Sequence, residues 1–417
     1  MKIFPLTALR SPLTRRVRLP ILGCLLLACG GAEASNLAEA VVDTLPGGIP
    51  RVTSSGPTAW SDSSGITLTE EARWSGEDGT TSEIGQPRSL AVDEEGRVYI
   101  VDTKPALIKV FTPDGSLIRT IGGEGEGPGE FRVGFIAVRG GALVLHDPQL
   151  ARTSVWDTSG AFRKSWHSSC CYWTDILIDR QQRIYVPTMV PLQRDETPRG
   201  TPFVRWSLEG AVLDTLWVPY RKMEKFWTVT VKGPDGKMRA SMSTGVPFLP
   251  SLTYTLHPDS GVVYGWTGDY SLVRSSNGRD SLRVFGRAWT PDPIEEVRRK
   301  DELEAHIKAS AETYGEANVR ASFKLEDIPT TLPAYMNLRV DPAGRIWVRR
   351  HAISDTTRTR FDLFDSTGVL LGPVTLPFSI NEWGMQAWTR DGLVTVIEDE
   401  NGRPTLVRVR VAMPDPY

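Results

Sequence analysis

The feature of the sequence that most constrains its fold is a hairpin pattern that recurs six times. In "LAVDEEGRVYIVD", Leu90–Asp102, apolar and polar residues alternate on both sides of a short turn, as expected for a β-hairpin. Similar stretches begin at Ile136, Ile176, Tyr254, Leu338 and Gln386. A second hairpin, such as "IKVFTPDGSLIRTIG", follows most of them. Each repeat therefore predicts a unit of four antiparallel strands.

Six four-stranded units in succession are typical of a β-propeller. The sixth unit lacks a strand, because the chain ends soon after "PTLVRVRV", Pro404–Val411. An early segment, "GITLTEEARWSG" at Gly65–Gly76, offers a strand that no other unit requires. We therefore predict an all-β, six-bladed propeller over residues 65–417, in which this N-terminal strand closes the last blade and leaves no edge unpaired.

The first repeat, residues 86–131, resembles an NHL repeat, including its closing "GPGEF". The resemblance covers most of residues 65–411 and implies a six-bladed NHL-type propeller, a family with exported bacterial lipoproteins among its members. The glycine-rich run "IGGEGEGPGEF" has no Lys followed by Ser or Thr, and its glutamates would repel a phosphate. We interpret it as the connection between blades one and two, with Phe131 packed between them.

The N-terminus predicts a targeting segment. Residues 1–28 contain five basic residues and no acid, and their apolar core is too short to span a membrane as an ordinary helix. "LLAC" resembles a bacterial lipobox, which implies a signal peptide over residues 1–28 and a lipid on Cys29. Alternatives are a lipobox that ends at Cys24, or ordinary secretion with cleavage after "AEAS". Residues 29–64 predict a flexible tether.

The charge balance limits the classes of partner. The whole chain has a formal net charge of −2, and because residues 1–28 carry +5, the remainder carries −7. A mildly acidic domain argues against nucleic acid as the main partner. We expect a monomer in the cell envelope, on the periplasmic or outer-membrane side, that contacts the membrane only through its lipid.

Candidate binding residues collect on one face of the predicted propeller, where second strands connect to third strands and blades connect to each other. They are Asp102, His146, Asp147, Arg349, His351 and Glu398. Two long insertions, about residues 220–250 and 290–336, are expected to wall a site on this face. The second predicts one helix, capped by Thr290 or Asp292. Aromatic residues in the inter-blade links could add contact surface: Trp166, Tyr172, Trp173, Trp227 and Trp383.

Metal binding is a weaker hypothesis. His146 and His351 hold equivalent positions in opposite blades and could face each other across the channel. Peptidyl-amidating lyases, which share the NHL propeller, use histidine-bound zinc, although no third histidine completes their pattern here. Lactonase-type propellers hold calcium with carboxylates, for which Asp102, Asp147 and Glu398 or Asp399 are candidates.

The adjacent cysteines Cys170 and Cys171 lie in the link between blades two and three. In an oxidising compartment they could form a vicinal disulfide that stiffens the candidate face. The alternative is a pair of reduced, partly buried thiols.

Two functions follow as hypotheses. The leading one is a non-catalytic envelope binding or scaffold protein that recognises a peptide, a protein or a glycan on the loop-rich face. The alternative is a metal-dependent enzyme at the channel mouth, similar to an amidating lyase or a lactonase, with zinc or calcium as cofactor. The sequence has no Gly-x-Ser-x-Gly nucleophile elbow.

Overall fold

The computed structural model describes residues 38–62, 65–170, 174–189, 200–352, 356–380 and 385–414. Six residues singled out above lie outside these ranges: Cys24, Cys29, Cys171, Tyr172, Trp173 and Trp383. Within these ranges, no helix is both long enough and apolar enough to cross a membrane.

Six four-stranded antiparallel units confirm the six-bladed propeller. The strands, in chain order, are β1 (Val41–Leu45), β2 (Ile49–Ser54), β3 (Thr67–Trp74), β4 (Pro87–Val92), β5 (Val98–Thr103), β6 (Ala106–Phe111), β7 (Leu117–Ile121), β8 (Phe135–Arg139), β9 (Ala142–Asp147), β10 (Arg152–Asp157), β11 (Phe162–His167), β12 (Leu177–Ile178), β13 (Ile184–Pro187), β14 (Thr201–Trp206), β15 (Val212–Val218), β16 (Phe226–Lys232), β17 (Met238–Gly245), β18 (Leu252–Leu256), β19 (Val262–Trp266), β20 (Ser271–Ser275), β21 (Arg283–Arg287), β22 (Asn337–Val340), β23 (Ile346–Arg349), β24 (Thr359–Phe364), β25 (Leu370–Leu376), β26 (Gln386–Thr389), β27 (Gly392–Glu398) and β28 (Pro404–Ala412). Blades one to five are β4–β7, β8–β11, β12–β15, β18–β21 and β22–β25, and blade six is β26–β28 with β3.

The ring is closed by the N-terminal strand, as predicted. Strand β3 pairs antiparallel with β28, from Thr67 opposite Ala412 to Trp74 opposite Leu406. The link between blades one and two also behaves as predicted, since Phe131 is 1% exposed and packs in a cluster shared by both blades.

The predicted tether over residues 29–64 is corrected for its later part. Strands β1 and β2 form a hairpin, and β2 pairs in parallel with β21, so that blade four grows to six strands. Trp60 then packs against blade five, where its indole N–H donates to the carbonyl of Pro373 over 2.8 Å. Composition suggested a linker here because the two strands are short and flank a Pro-Gly-Gly turn.

A buried aspartate organises the first turn of blade five. One oxygen of Asp341 accepts from the main-chain N–H groups of Ala343 (2.9 Å) and Arg345 (3.0 Å). The other accepts from Arg345 Nε (2.6 Å) and from the indole N–H of Trp347 (3.0 Å). The same arrangement recurs in blades one and three, as Asp93–Arg97–Tyr99 and Asp179–Arg183–Tyr185. These repeated acids therefore hold turns together rather than bind ligands.

Blade four carries His257 at the equivalent turn position. Its Nδ1 accepts the main-chain N–H of Asp259 over 3.1 Å, and the side chain is 6% exposed. Burial, together with the nearby charges of Arg274 and Arg180, lowers the pKa of His257 to about 3. The imidazole is therefore neutral at pH 7.

The second insertion forms two helices instead of the single predicted helix. They are α1 (Glu296–Tyr314) and α2 (Glu316–Ser322), followed by a 3-10 turn at Leu325–Asp327. Gly315 separates them with a φ of 80°, a conformation that glycine adopts without steric cost. Helix α1 begins after Glu295, without a side-chain cap from Thr290 or Asp292.

The two insertions pack on each other. Trp227 of β16 stacks on Phe323 beside α2, with ring centroids 4.5 Å apart. Val229, Ile307 and Val319 complete this apolar cluster, which joins the hairpin β16–β17 to both helices. The two long insertions therefore form one unit beside blades four and five.

We predict that Asp341→Ala lowers the free energy of unfolding by about 3 kcal/mol, because it leaves the Arg345 and Trp347 donors without their buried acceptor. Chemical denaturation followed by tryptophan fluorescence measures this change.

Asp365→Ala is the matched control. Asp365 accepts two main-chain N–H groups in a similar turn, from Thr367 (2.9 Å) and Val369 (2.8 Å), but holds neither an arginine nor an aromatic donor in the bonds described. Its loss should cost about 1 kcal/mol. Equal losses for the two variants would contradict the structural role assigned to the repeated aspartates.

We also predict a pH dependence of stability that is caused by His257. Because its pKa is about 3 in the folded protein and about 6.5 in an unfolded chain, the unfolded state binds more protons between these values. The free energy of unfolding should therefore fall as the pH drops below about 6.5, by up to about 1.4 kcal/mol per pH unit.

His257→Asn removes this titration, so the stability difference between wild type and variant should shift in favour of the variant as the pH falls from 7 to 4. Unfolding curves at a series of pH values measure the difference. His167→Asn replaces an exposed histidine and serves as the control. Parallel curves for wild type and His257→Asn would refute the assignment.

Candidate functional site

A cavity of about 640 Å³ opens on the loop-rich face, beside blades four and five. Its volume falls in the range of ligand pockets, about 300–1,000 Å³. Four segments provide most of its walls: the link into blade four around Phe248, helix α1 with Arg298 and His306, the link into blade five around Tyr335, and the second-to-third-strand connection of blade five around His351. Both long insertions contribute walls, as their length led us to expect.

The described wall of the cavity is rich in arginine, in a protein whose formal net charge is negative. Among the residues that the structure describes, four arginines line it, Arg298, Arg349, Arg350 and Arg358, against one acid, Glu302. The charge of Arg350 is balanced behind the wall by a salt bridge of 3.0 Å to Asp362.

Arg298 is different, because its hydrogen-bond partner is neutral. Its Nη1 donates to the carbonyl of Ala352 over 2.6 Å, and within the described ranges it makes no salt bridge. Arg349 also donates to a carbonyl, that of Ile380, over 2.5 Å. The guanidinium of Arg298 is therefore available for an anionic ligand.

His351 lines this wall, and one of its ring nitrogens has no hydrogen-bond partner among the described residues. Burial, together with the charges of Arg298, Arg350 and Arg349, lowers the pKa of His351 to about 4, although its hydrogen bond to the Tyr335 carbonyl acts in the opposite direction. The ring is therefore neutral at pH 7. Its Nε2 is buried and has no hydrogen-bond partner among the described residues. Since the carbonyl of Tyr335 must accept from the imidazole, we assign the proton to Nδ1 and an unused lone pair to Nε2.

Phe248 joins these two groups. The guanidinium carbon of Arg298 lies 5.1 Å from the centre of its ring, and the imidazole of His351 meets the ring edge-to-face at 6.0 Å. Phe248 has a φ of 59°, a left-handed conformation that costs a non-glycine residue about 1 kcal/mol or more. Strain of this kind concentrates at functional sites, and here it holds the ring between a cation and a neutral imidazole.

The structure brings together only two of the predicted binding residues, Arg349 and His351, in this cavity. His146 does not line it. His146 is 0% exposed in blade two, and its Nδ1 lies 3.3 Å from Thr153 Oγ1 and 3.2 Å from Ser168 Oγ. Burial lowers the pKa of His146 to about 4.

The predicted acids do not form a binding surface. Asp102 is 0% exposed and makes a 2.8 Å salt bridge with Lys109, while its oxygens also accept the main-chain N–H groups of Gly85 and Gln86. Asp147 is 1% exposed and accepts from the N–H groups of Arg132 and Gln149. Both carboxylates are thus occupied by the fold, which corrects their assignment to the binding face.

The remaining candidates lie apart from the cavity. Glu398 is exposed at the end of β27. Trp227 is buried in the core of the insertions, so it cannot supply contact surface, and Trp166 is half-buried against Trp206. Cys170 is disulfide-bonded, with its partner outside the described residues, so the pairing with Cys171 stays a prediction. No group of three or more His, Cys, Asp or Glu side chains among the described residues is arranged to hold a metal.

Sequence reasoning missed Phe248, Arg298 and Arg358. Arg298 belongs to a helix of alternating charge, and no periodicity marks one charge of such a helix as inward-facing. The only local signal was length, because insertions as long as these in a compact fold are commonly functional.

Comparison with known proteins establishes no family for this chain. No family model matches the sequence, and no curated protein matches it. Among solved structures, a member of the DUF4221 family from Bacteroides vulgatus is similar, with 11% identity, a TM-score of 0.49, and coverage of 85% of this chain and 100% of that chain. An exported protein of Bacteroides fragilis has 12% identity, a TM-score of 0.45 and coverage of 84% and 97%. Virginiamycin B lyase from Staphylococcus aureus has 10% identity, a TM-score of 0.40 and coverage of 83% and 99%.

Proposed function

We propose that the protein is a non-catalytic binding protein of the cell envelope, which takes a peptide, a segment of a protein or a glycan into the cavity between Phe248, Arg298 and His351. The observation that carries this proposal is the cavity itself, about 640 Å³ in volume and walled in part by two insertions that lie outside the four-stranded blades. Arginines that stay charged and an aromatic ring are groups that hold ligands.

The apolar part of the wall favours a peptide over a glycan. Val246, Phe248, Leu249, Met223 and Met336 all line the cavity. Such surfaces gain free energy by covering apolar side chains, at about 25 cal/mol for each Å² removed from water. A sugar offers less apolar area for the same volume.

We also propose that the chain is an NHL-type lipoprotein, exported and anchored through Cys29. The support is the lipobox-like "LLAC" and the repeat pattern of blade one. In this arrangement the cavity would face ligands of the envelope or its surroundings.

The binding proposal predicts that ligands are lost when the cavity is filled. Ala352→Trp places an indole in the wall where Ala352 accepts from Arg298. Purified full-length protein, tested against a displayed random-peptide library and a glycan array, should select ligands whose affinity falls at least about tenfold in this variant.

Ala211→Trp is the control, since Ala211 is exposed in the turn between the third and fourth strands of blade three, on the opposite face. It should bind the selected ligands as the wild type does. Failure to select any ligand, or selection of ligands that bind both variants equally well, would count against the proposal.

The anchoring proposal predicts that Cys29→Ser abolishes incorporation of radiolabelled palmitate when the full chain is produced in a bacterium, because the lipid is attached through the cysteine thiol. Cys24→Ser should leave the labelling intact. Labelling that depends on Cys24 instead would support the second lipobox, and the absence of labelling in the wild type would support ordinary secretion.

A further inference from the structure

We propose that the cavity recognises the C-terminal end of a peptide: Arg298 binds the terminal carboxylate, His351 Nε2 accepts the last peptide N–H, and Phe248 covers an apolar last side chain. This inference rests on the proposed binding function and adds to it the chemical class of the ligand and the role of each residue.

Arg298 has the geometry and the spare donors to bind a carboxylate. A guanidinium carries five N–H donors in a planar fork, of which the contact with the Ala352 carbonyl uses one. The ring of Phe248, 5.1 Å from the guanidinium carbon, limits the orientation of that plane. A carboxylate can therefore be held by two parallel N–H groups of a fork that is already oriented.

The rest of the described lining is also rich in arginine. Arg349 and Arg358 line the same cavity, and Glu302 is the one acid among the described lining residues. Burial, helped by the charges of Arg298, Arg350 and Arg349, lowers the pKa of His351 and keeps its imidazole neutral, so the wall combines a cationic donor with a neutral acceptor.

His351 then requires a donor from the ligand. Its Nε2 is buried without a partner among the residues that the structure describes, and a buried polar atom left unsatisfied costs free energy. The group that satisfies it must be an N–H or O–H lying close to the anion. The last residue of a peptide has both, because its carboxylate and its amide N–H are attached to the same Cα.

Other anions fit this arrangement less well. The dianion of a phosphate monoester has no O–H, so it would place an acceptor oxygen against the lone pair of Nε2. An acidic sugar offers hydroxyl donors, but it would leave the apolar surface of Phe248, Leu249 and Val246 without apolar cover. A free C-terminus with an apolar last residue therefore fits best, because it offers a carboxylate to Arg298, an N–H to His351 and an apolar side chain to Phe248.

The test uses isothermal titration calorimetry of the full-length protein with three forms of one pentapeptide, Ala-Ala-Ala-Ala-Leu. The first form has a free C-terminus, the second is amidated, and the third has its last peptide nitrogen methylated. We expect the free acid to bind, and each of the other forms to bind at least about tenfold more weakly, the size of one lost charge-assisted or buried hydrogen bond.

Two protein variants assign the contacts. Arg298→Gln should lower the affinity for the free acid at least about tenfold and abolish the preference for the acid over the amide. His351→Phe should abolish the effect of N-methylation and retain an aromatic contact with Phe248. Lys300→Gln removes one positive charge from the same helix, where Lys300 is exposed and paired with Glu296, and should change nothing.

The outcomes separate this inference from the broader proposal. Equal affinities of acid and amide, or a preference that persists in Arg298→Gln, would overturn the C-terminal recognition. Absence of binding by the free acid would also overturn it. The broader binding function would still hold if the affinity of library-selected ligands falls in Ala352→Trp. Equal affinity of those ligands for the wild type and Ala352→Trp would overturn both.

Discussion

The pairing of β3 with β28 is the interaction on which the rest of the structure depends. A propeller blade packs against two neighbours, so a ring with an incomplete last blade would leave an apolar flank and an unpaired edge exposed. Strand β3 removes both problems, since it completes blade six with a strand from the other end of the chain. With the ring closed, blades four and five are fixed side by side, and the loops between them can build a cavity of defined shape.

Blade four carries the additions that build most of the cavity wall. The hairpin β16–β17 precedes its first strand, and helices α1 and α2 follow its last strand. The N-terminal hairpin β1–β2 pairs with the outer strand β21, which would otherwise be an exposed edge. The two insertions meet through Trp227 and Phe323, and this contact sets the distance between α1 and the propeller face. The position of Arg298 relative to His351 therefore depends on packing between residues that do not line the cavity.

The fold could be predicted well from the sequence because the pattern of strands and turns repeats with each blade. Alternating residues and repeated turns identified the strands, the blade number and the role of β3. The site was predicted poorly because charge in a sequence does not reveal burial. Asp102 and Asp147 looked like ligands but satisfy backbone N–H groups inside the fold, whereas Arg298 looked like a solvent-exposed helix residue but lines the cavity. His351 was predicted from its position in the blade. The sequence could not show that its Nε2 is buried without a hydrogen-bond partner among the described residues.

The central claim is that the ligand lies between Phe248, Arg298 and His351. A crystal structure of the full-length protein with a ligand selected from the peptide library tests it most directly. The account predicts electron density for the ligand in this cavity, with an anionic group about 3 Å from the Arg298 guanidinium. Density at another place on the propeller, for example beside His146, with this cavity unfilled, would contradict it.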